Sequence, residues 1–109
     1  MDAIARIKDQ IENNSVVLYM KGTPDFPQCG FSAQTVQALN ACNAKYKHVN
    51  IFEDMELREA LKSYSNWPTY PQLYVSGELI GGCDIVCEMH ANGELQPLIK
   101  TAVANVPAQ

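Results

Sequence analysis

The sequence has no long hydrophobic run and no run of basic residues. No apolar stretch approaches the ~20 residues that a membrane-spanning helix needs. Eight Lys and Arg stand against twelve Asp and Glu, which gives a net charge of −4. Because nucleic acids and anionic membrane surfaces attract clustered positive charge, we expect neither nucleic acid nor membrane as a partner.

The N-terminal residues also lack the features of a targeting segment. They contain no long apolar centre of the kind found in signal peptides. Asp2, Asp9 and Glu12 make the segment too acidic for a transit peptide. We therefore expect a reducing, cytoplasmic location.

Cysteine is scarce, with only four in the chain: Cys29, Cys42, Cys83 and Cys87. Their spacings do not form the paired Cys-x2-Cys knuckles of a structural zinc site. A disulfide framework is not expected in a reducing compartment when the chain is long enough to form a hydrophobic core. Cys42 and Cys87 are therefore expected to be small, buried apolar residues.

The spacing of apolar residues predicts an α/β chain forming a single domain over residues 1–109. About five helices are predicted, near residues 3–13, after Cys29 to about 42, from Asp54 to about 64, from the Gly81-Gly82 loop to Asn92, and near 95–103. Strands are predicted near residues 16–20, 46–51, 72–75 and 78–80. The first two strands and the helix between them are predicted to form a parallel βαβ unit. Asp54 is predicted to be the N-cap of the third helix, and Ser76-Gly77 a two-residue hairpin turn.

Cys29 lies in the loop between the first predicted strand and the second predicted helix. Free backbone N–H groups at the start of a helix favour an anion such as a thiolate. Ser32 occupies the position that a second cysteine takes in a Cys-x-x-Cys redox motif, so the site has one thiol where a disulfide reductase has two. A helix N-terminus contributes only ~0.3–1 kcal/mol, which is under one pKa unit. Lys21 or a metal is therefore needed to make Cys29 a strong nucleophile.

Three motifs together resemble a known family. They are Lys-Gly-Thr-Pro at 21–24 with Cys-Gly-Phe-Ser at 29–32, Trp-Pro-Thr-Tyr-Pro at 67–71, and Gly-Gly-Cys-Asp at 81–84. In this order and spacing they closely resemble the CGFS-type monothiol glutaredoxins in their short single-domain form, over essentially the whole chain. Tyr70 stands where Phe or Val is more usual. Cys42 and Cys87 belong to no motif of that family.

The resemblance implies a thioredoxin-like fold with a mixed four-stranded sheet, a cis peptide before Pro71 and a glutathione groove. The residues implied for the groove are Lys21, Arg58, Thr69, Tyr70, Pro71, Gly82, Cys83 and Asp84. Lys21 and Arg58 would serve the glycine end of glutathione, and the backbone of Tyr70 would pair with its cysteinyl segment. Cys83 and Asp84 would hold the γ-glutamyl end. This assignment is chemically reasonable, because an extended peptide with a carboxylate at each end suits an exposed backbone edge, basic residues and a helix N-terminus.

The number of available thiols is consistent with a shared cluster. A [2Fe–2S] cluster takes four ligands, usually thiolates, and one chain presents one well-placed thiol in Cys29. Two chains and two glutathiones supply four. The resemblance likewise implies that Cys29 is both the catalytic thiol and the metal ligand of a cluster bridging a homodimer, with a monomeric apo form. It also implies a role in iron–sulfur cluster assembly, transfer to acceptor proteins and iron homeostasis, with BolA-like proteins as partners.

Two other functions remain open from the sequence. In one, the protein is a glutathione-dependent oxidoreductase in which Cys29 attacks a glutathionylated protein and a second glutathione releases it. By resemblance, the long loop at residues 23–27 accompanies weak reductase activity and favours the cluster carrier. In the other, the chain is a redox-regulated interaction module without a cofactor.

Several residues can also be interpreted as having a structural role only. Arg58 is at the right spacing to pair with Asp54 on a helix face. Cys83 is expected to act through its backbone more than its sulfur. Phe31 and Trp67 are expected to be packing aromatics, and Phe31 is placed where it can also border the site. His48 and His90 are expected to be surface residues.

Overall fold

The computed structural model describes residues 2–104. The α-helices are α1 (Ala3–Asn13), α2 (Gly30–Ala41), α3 (Met55–Ser65), α4 (Cys83–Ala91) and α5 (Leu95–Ala104). The strands are β1 (Val16–Met20), β2 (Lys47–Asn50), β3 (Gln72–Val75) and β4 (Glu78–Gly81). Each helix and strand predicted from the sequence is present, with ends that differ by a few residues.

The four strands form one sheet in the order β2-β1-β3-β4. Strand β1 runs parallel to β2 and antiparallel to β3, and β4 is antiparallel to β3. In this register Leu18 lies opposite both His48 and Leu73. The sheet is therefore mixed, and the parallel βαβ unit is confirmed.

Strand β1 separates two hydrophobic cores because its side chains alternate between the faces of the sheet. Val16, Leu18 and Met20 belong to the core that includes residues of α2, α4 and α5. Val17 and Tyr19 belong to the core that includes residues of α1 and α3. All five residues of β1 are buried, which is why this strand reads as a continuous apolar run in the sequence.

Strand β2 is shorter than predicted, and Asn50 explains where it ends. The Asn50 side-chain oxygen accepts hydrogen bonds from the backbone N–H groups of Phe52 and Gly22, each at 3.0 Å. The first of these bonds starts a single 3₁₀ turn, Ile51–Glu53, in place of further strand. The second fixes the start of the loop that carries Cys29.

Two local features predicted from the sequence are confirmed. Ser76 and Gly77 have φ values of 52° and 81°, the left-handed pair that a two-residue hairpin turn requires. Asp54 caps α3 by accepting from the N–H of Leu57 at 3.0 Å. The Asp54 carboxylate forms its ion pair with Arg6, at 2.8 Å, and among residues 2–104 no ion pair joins it to Arg58. Within the same residues, no helix combines the length and apolarity that crossing a bilayer requires.

Candidate functional site

Cys29 is the N-cap residue of α2, with extended backbone at φ −154° and ψ 136°. Hydrogen bonding from the Ser32 backbone N–H is the largest influence on its thiol and lowers the pKa. The Phe31 N–H, the Lys21 charge and the Ser32 hydroxyl also lower this pKa, whereas burial opposes them. The structure thus gives the backbone at the helix start a larger part, and Lys21 a smaller one, than the sequence argument did.

The loop before Cys29 is closed by its own backbone. The N–H of Gln28 donates to the carbonyl of Lys21 at 2.9 Å, and Thr23 and Phe26 exchange N–H···O bonds of 3.3 and 3.0 Å. Gly22 has φ +92°, and a Cβ there would lie 2.5 Å from the carbonyl oxygen of Phe26. Only glycine adopts this conformation without strain, so Gly22 allows the loop to return tightly to Cys29.

A groove of about 280 Å³ lies beside the start of α2. Seven of the eight residues predicted for glutathione line it: Lys21, Thr69, Tyr70, Pro71, Gly82, Cys83 and Asp84. The Tyr70–Pro71 peptide bond is cis, as the resemblance implied. Three segments distant in sequence therefore meet around one cavity. Phe31, two residues after Cys29, also lines the groove.

Arg58 is the exception among the predicted groove residues. Within the part of the chain that the structure describes, Arg58 is not among the residues that line the groove. Its backbone contacts a lining residue, because the Tyr70 hydroxyl donates to the Arg58 carbonyl oxygen at 2.7 Å. Burial raises the pKa of Tyr70 to about 12, and the Arg58 charge partly offsets this. The Arg58 Nε is buried and has no hydrogen-bond partner in residues 2–104.

Two lining residues were not predicted as groove residues. Trp67 was interpreted as a packing aromatic, and Ile85 was not considered for the site; both line the groove. The Trp67 Nε1 is buried and without a partner in the described residues, and a Cβ on Gly82 would lie 3.6 Å from it. The sequence signal for Trp67 was its place directly before the Pro68 to Pro71 segment.

The remaining thiols lie between α2 and α4. The sulfurs of Cys83 and Cys87 are 3.8 Å apart, and Cys42 Sγ lies 3.8 Å from Nδ1 of His90. Cys42 is buried as predicted, but Cys87 is only half-buried because one side of it faces a cleft. His48 and His90 are exposed, as predicted, although contact of His90 with Cys42 was not foreseen. Among residues 2–104, no three His, Cys, Asp or Glu side chains form a metal-binding group.

Comparison with known proteins identifies the family. The glutaredoxin family model matches residues 16–80, which include β1, Cys29, the cis proline and β3. The chain belongs to the glutaredoxin family. It is 53% identical to glutaredoxin 4 of Buchnera aphidicola subsp. Schizaphis graminum over 105 residues, 96% of this chain and 98% of the relative. It is also 53% identical to glutaredoxin 4 of Escherichia coli strain K12 over 106 residues, 97% of this chain and 92% of the relative.

Solved structures agree with this assignment. The solution structure of reduced poplar apo GrxS14 superposes with a TM-score of 0.80 at 49% identity, covering 94% of each chain. The thioredoxin-like fold and the resemblance to CGFS-type monothiol glutaredoxins are thereby confirmed. Membership in the glutaredoxin family implies the use of glutathione.

Proposed function

We propose that this glutaredoxin binds glutathione in the groove at the start of α2 and uses Cys29 to share a [2Fe–2S] cluster with a second copy of itself. The observation that carries the proposal is the position of Cys29. It is a half-buried thiol of lowered pKa at a helix N-terminus, and its neighbours Lys21 and Phe31 line the groove.

The charge distribution around the groove matches the two ends of glutathione. Lys21 supplies positive charge at the β1 end. At the other end, Gly82 is the N-cap of α4, whose free N–H groups attract a carboxylate, and exposed Asp84 is available for an ammonium group. Between the ends, the backbone at Tyr70 offers a short edge for an extended peptide. Arg58, whose Nε has no hydrogen-bond partner within residues 2–104, is proposed to serve the glycine end together with Lys21.

The ligand count requires more than one chain. A [2Fe–2S] cluster takes four ligands, and Cys29 belongs to no group of three or more metal-binding side chains within residues 2–104. Two copies supply two Cys29 thiolates, and two bound glutathiones supply the others. The lowered pKa of Cys29 favours the thiolate that ligation requires.

In this proposal the cluster is cargo. The apo protein is a monomer, and the loaded protein is a homodimer that passes the cluster to acceptor proteins in iron–sulfur assembly and iron homeostasis. BolA-like proteins are proposed as further partners, and the cytoplasm as the location. A cluster held partly by a free tripeptide is released once glutathione exchanges, which suits a carrier.

The lowered pKa of Cys29 also favours a second candidate function, reduction of protein–glutathione mixed disulfides. The Cys29 thiolate attacks the glutathione sulfur, the protein sulfur leaves as a thiolate, and a Cys29–glutathione disulfide forms. A second glutathione thiolate then attacks the bound glutathione sulfur, releasing glutathione disulfide and regenerating Cys29. Ser32 does not interfere, because no second protein thiol takes part.

One experiment separates these functions. The apo protein is reconstituted anaerobically with iron and sulfide, with and without glutathione, then followed by visible absorption and size-exclusion chromatography. We expect cluster absorption in a dimer only when glutathione is present, absent from Cys29→Ser and retained by Cys42→Ser. Cluster absorption retained by Cys29→Ser would overturn the site. Absence of a cluster together with turnover of a glutathione mixed disulfide would establish the second function in its place.

A further inference from the structure

A second pair of thiols lies one helical turn apart on α4. Cys83 and Cys87 have their sulfurs 3.8 Å apart. The Cys83 thiol is buried and donates to Oε1 of Gln34 on α2 at 3.4 Å. Cys87 faces a cleft of about 260 Å³ between α2 and α4, which Gln34, Gln37 and His90 also line. The pair therefore has a polar neighbour and an opening to solvent.

Helix geometry does not favour a direct disulfide between these cysteines. A disulfide needs an S–S bond of about 2.05 Å and a Cβ–Cβ distance of roughly 3.5–4.5 Å. Residues four apart on a helix have Cβ atoms about 5–6 Å apart. Joining Cys83 to Cys87 would therefore require distortion of the first turns of α4, which carry Cys83 and Asp84 into the glutathione groove.

A bridging ion fits the same geometry without that distortion. A thiolate-bound d¹⁰ metal such as zinc lies about 2.3 Å from sulfur. An ion held by two thiolates alone binds them on opposite sides, so its sulfurs lie at most about 4.6 Å apart, twice that bond length. The Cys83 and Cys87 sulfurs are 3.8 Å apart and need to separate by less than about 1 Å to reach this arrangement. The pair can therefore hold an ion with only small rotations of the two side chains.

The number of available ligands determines which metal ion this pair of thiols is suited to bind. Structural zinc sites use four protein ligands, and residues 2–104 contain no group of three or more. Soft thiolate ligands select cuprous ion, which is commonly satisfied by two of them. We propose that Cys83 and Cys87 form a binding site for a soft, thiophilic cation that accepts two thiolate ligands, of which cuprous ion is the representative.

Binding exchanges two S–H bonds for two S–Cu bonds and releases two protons to solvent, with no change in oxidation state. The hydrogen bond from the Cys83 S–H to Oε1 of Gln34 is lost when the thiol loses its proton, and a flip of the Gln34 amide lets its NH₂ donate to the metal-bound sulfur instead. The cleft beside Cys87 provides the access path. The site is separate from Cys29 but shares Cys83 with the groove, so its test excludes glutathione.

The test uses the folded Cys29→Ser protein, which removes the other reactive thiol. Cuprous ion is titrated anaerobically, without glutathione, against a chromophoric cuprous chelator. We expect one ion per chain, at least tenfold weaker binding in Cys29→Ser/Cys87→Ser and in Cys29→Ser/Cys83→Ser, and unchanged binding in Cys29→Ser/Cys42→Ser. Circular dichroism establishes that each variant is folded. X-ray absorption of the loaded Cys29→Ser protein should show two sulfur neighbours.

Three outcomes would overturn the proposal. One is undiminished cuprous binding without Cys83 or Cys87. Another is an equal loss from Cys42→Ser, which would place the ion at the Cys42–His90 contact. The third is a coordination shell without two sulfurs, which does not depend on any variant. Because the assay contains neither glutathione nor Cys29, failure here leaves the proposed glutathione and cluster function standing.

Discussion

The backbone N–H of Lys21 donates to the side-chain oxygen of Ser32 over 3.2 Å. This bond ties the residue after β1 to the first turn of α2. Ser32 is fully buried, and its own N–H is the group that most lowers the pKa of Cys29. Ser32 therefore has two structural tasks at the position where a dithiol site would have its second cysteine.

Ser32→Ala separates these two tasks. The Lys21 N–H loses its acceptor, so we expect the free energy of unfolding to fall by about 1 kcal/mol. The pKa of Cys29 should stay lowered, because the backbone N–H of residue 32 remains. Urea unfolding gives the first quantity, and the pH dependence of Cys29 alkylation, followed by mass spectrometry, gives the second. Exposed Ser63→Ala is the stability control, and a return of Cys29 to an ordinary thiol pKa would contradict this account.

Lys21→Gln should affect ligand binding more than Cys29 acidity. Lys21 lowers the pKa of Cys29 less than the two backbone hydrogen bonds do, so alkylation at neutral pH should slow only modestly. A charged hydrogen bond is worth about 1.5–3 kcal/mol, so glutathione affinity should fall roughly tenfold or more. Titration calorimetry with glutathione measures this loss. Lys47→Gln on exposed β2 is the matched control, and equal affinity for both variants would remove Lys21 from the site.

Most of the fold was predictable because its local signals agree with one another. The apolar run of β1, the Asp54 cap and the Ser76-Gly77 turn each specify one backbone conformation, and none competes with tertiary packing. Strand β2 was predicted too long because the alternation of apolar residues continues to Ile51. The Asn50 side chain ends the strand there by accepting from the Phe52 N–H. No sustained helical spacing of apolar residues directly follows Asn50 to mark it as a cap, whereas such a spacing does follow Asp54.

The groove residues that belong to a sequence motif were predictable, whereas the other residues and contacts of the site were less so. Seven residues that the motifs assign to the groove line one cavity, but Trp67 and Ile85 were missed because apolar residues look the same whether they line a cavity or fill a core. The contacts of Cys83 with Cys87 and of Cys42 with His90 depend on how α2 packs against α4. That packing is non-local and leaves no short pattern in the sequence.

Gly22→Ala and Gly30→Ala form a pair that tests the loop before Cys29. At Gly22 the backbone has φ +92° and a Cβ would meet the Phe26 carbonyl oxygen at 2.5 Å, so alanine should cost about 2–3 kcal/mol of stability. At Gly30, the first residue of α2, nothing lies within 4 Å of a Cβ. There alanine should be neutral or stabilise by up to about 1 kcal/mol. Urea unfolding of both variants compares them, and similar costs would show that the loop does not depend on the Gly22 conformation.

Tyr70→Phe should destabilise the protein at pH 8 and destabilise it less, or not at all, at pH 11. At pH 8 the variant loses the hydrogen bond to the Arg58 carbonyl, which should lower the free energy of unfolding by about 1 kcal/mol. Burial raises the pKa of Tyr70 from 10.0 to about 12, so the folded protein keeps this hydroxyl protonated when the unfolded chain has lost the proton. The contribution of the protonated Tyr70 hydroxyl to the free energy of unfolding is therefore fully present below pH 10 and is lost as the pH rises towards 12.

Between these pH values the wild type should lose at most about 1.4 kcal/mol per pH unit through Tyr70, a loss that phenylalanine does not suffer. The stability difference between wild type and Tyr70→Phe should therefore shrink or reverse at pH 11. Urea unfolding followed by circular dichroism at pH 8 and pH 11 measures that difference in the same two proteins, so other titrating groups cancel. A difference that does not change between the two pH values would mean that Tyr70 ionises as easily in the folded protein as in the unfolded chain.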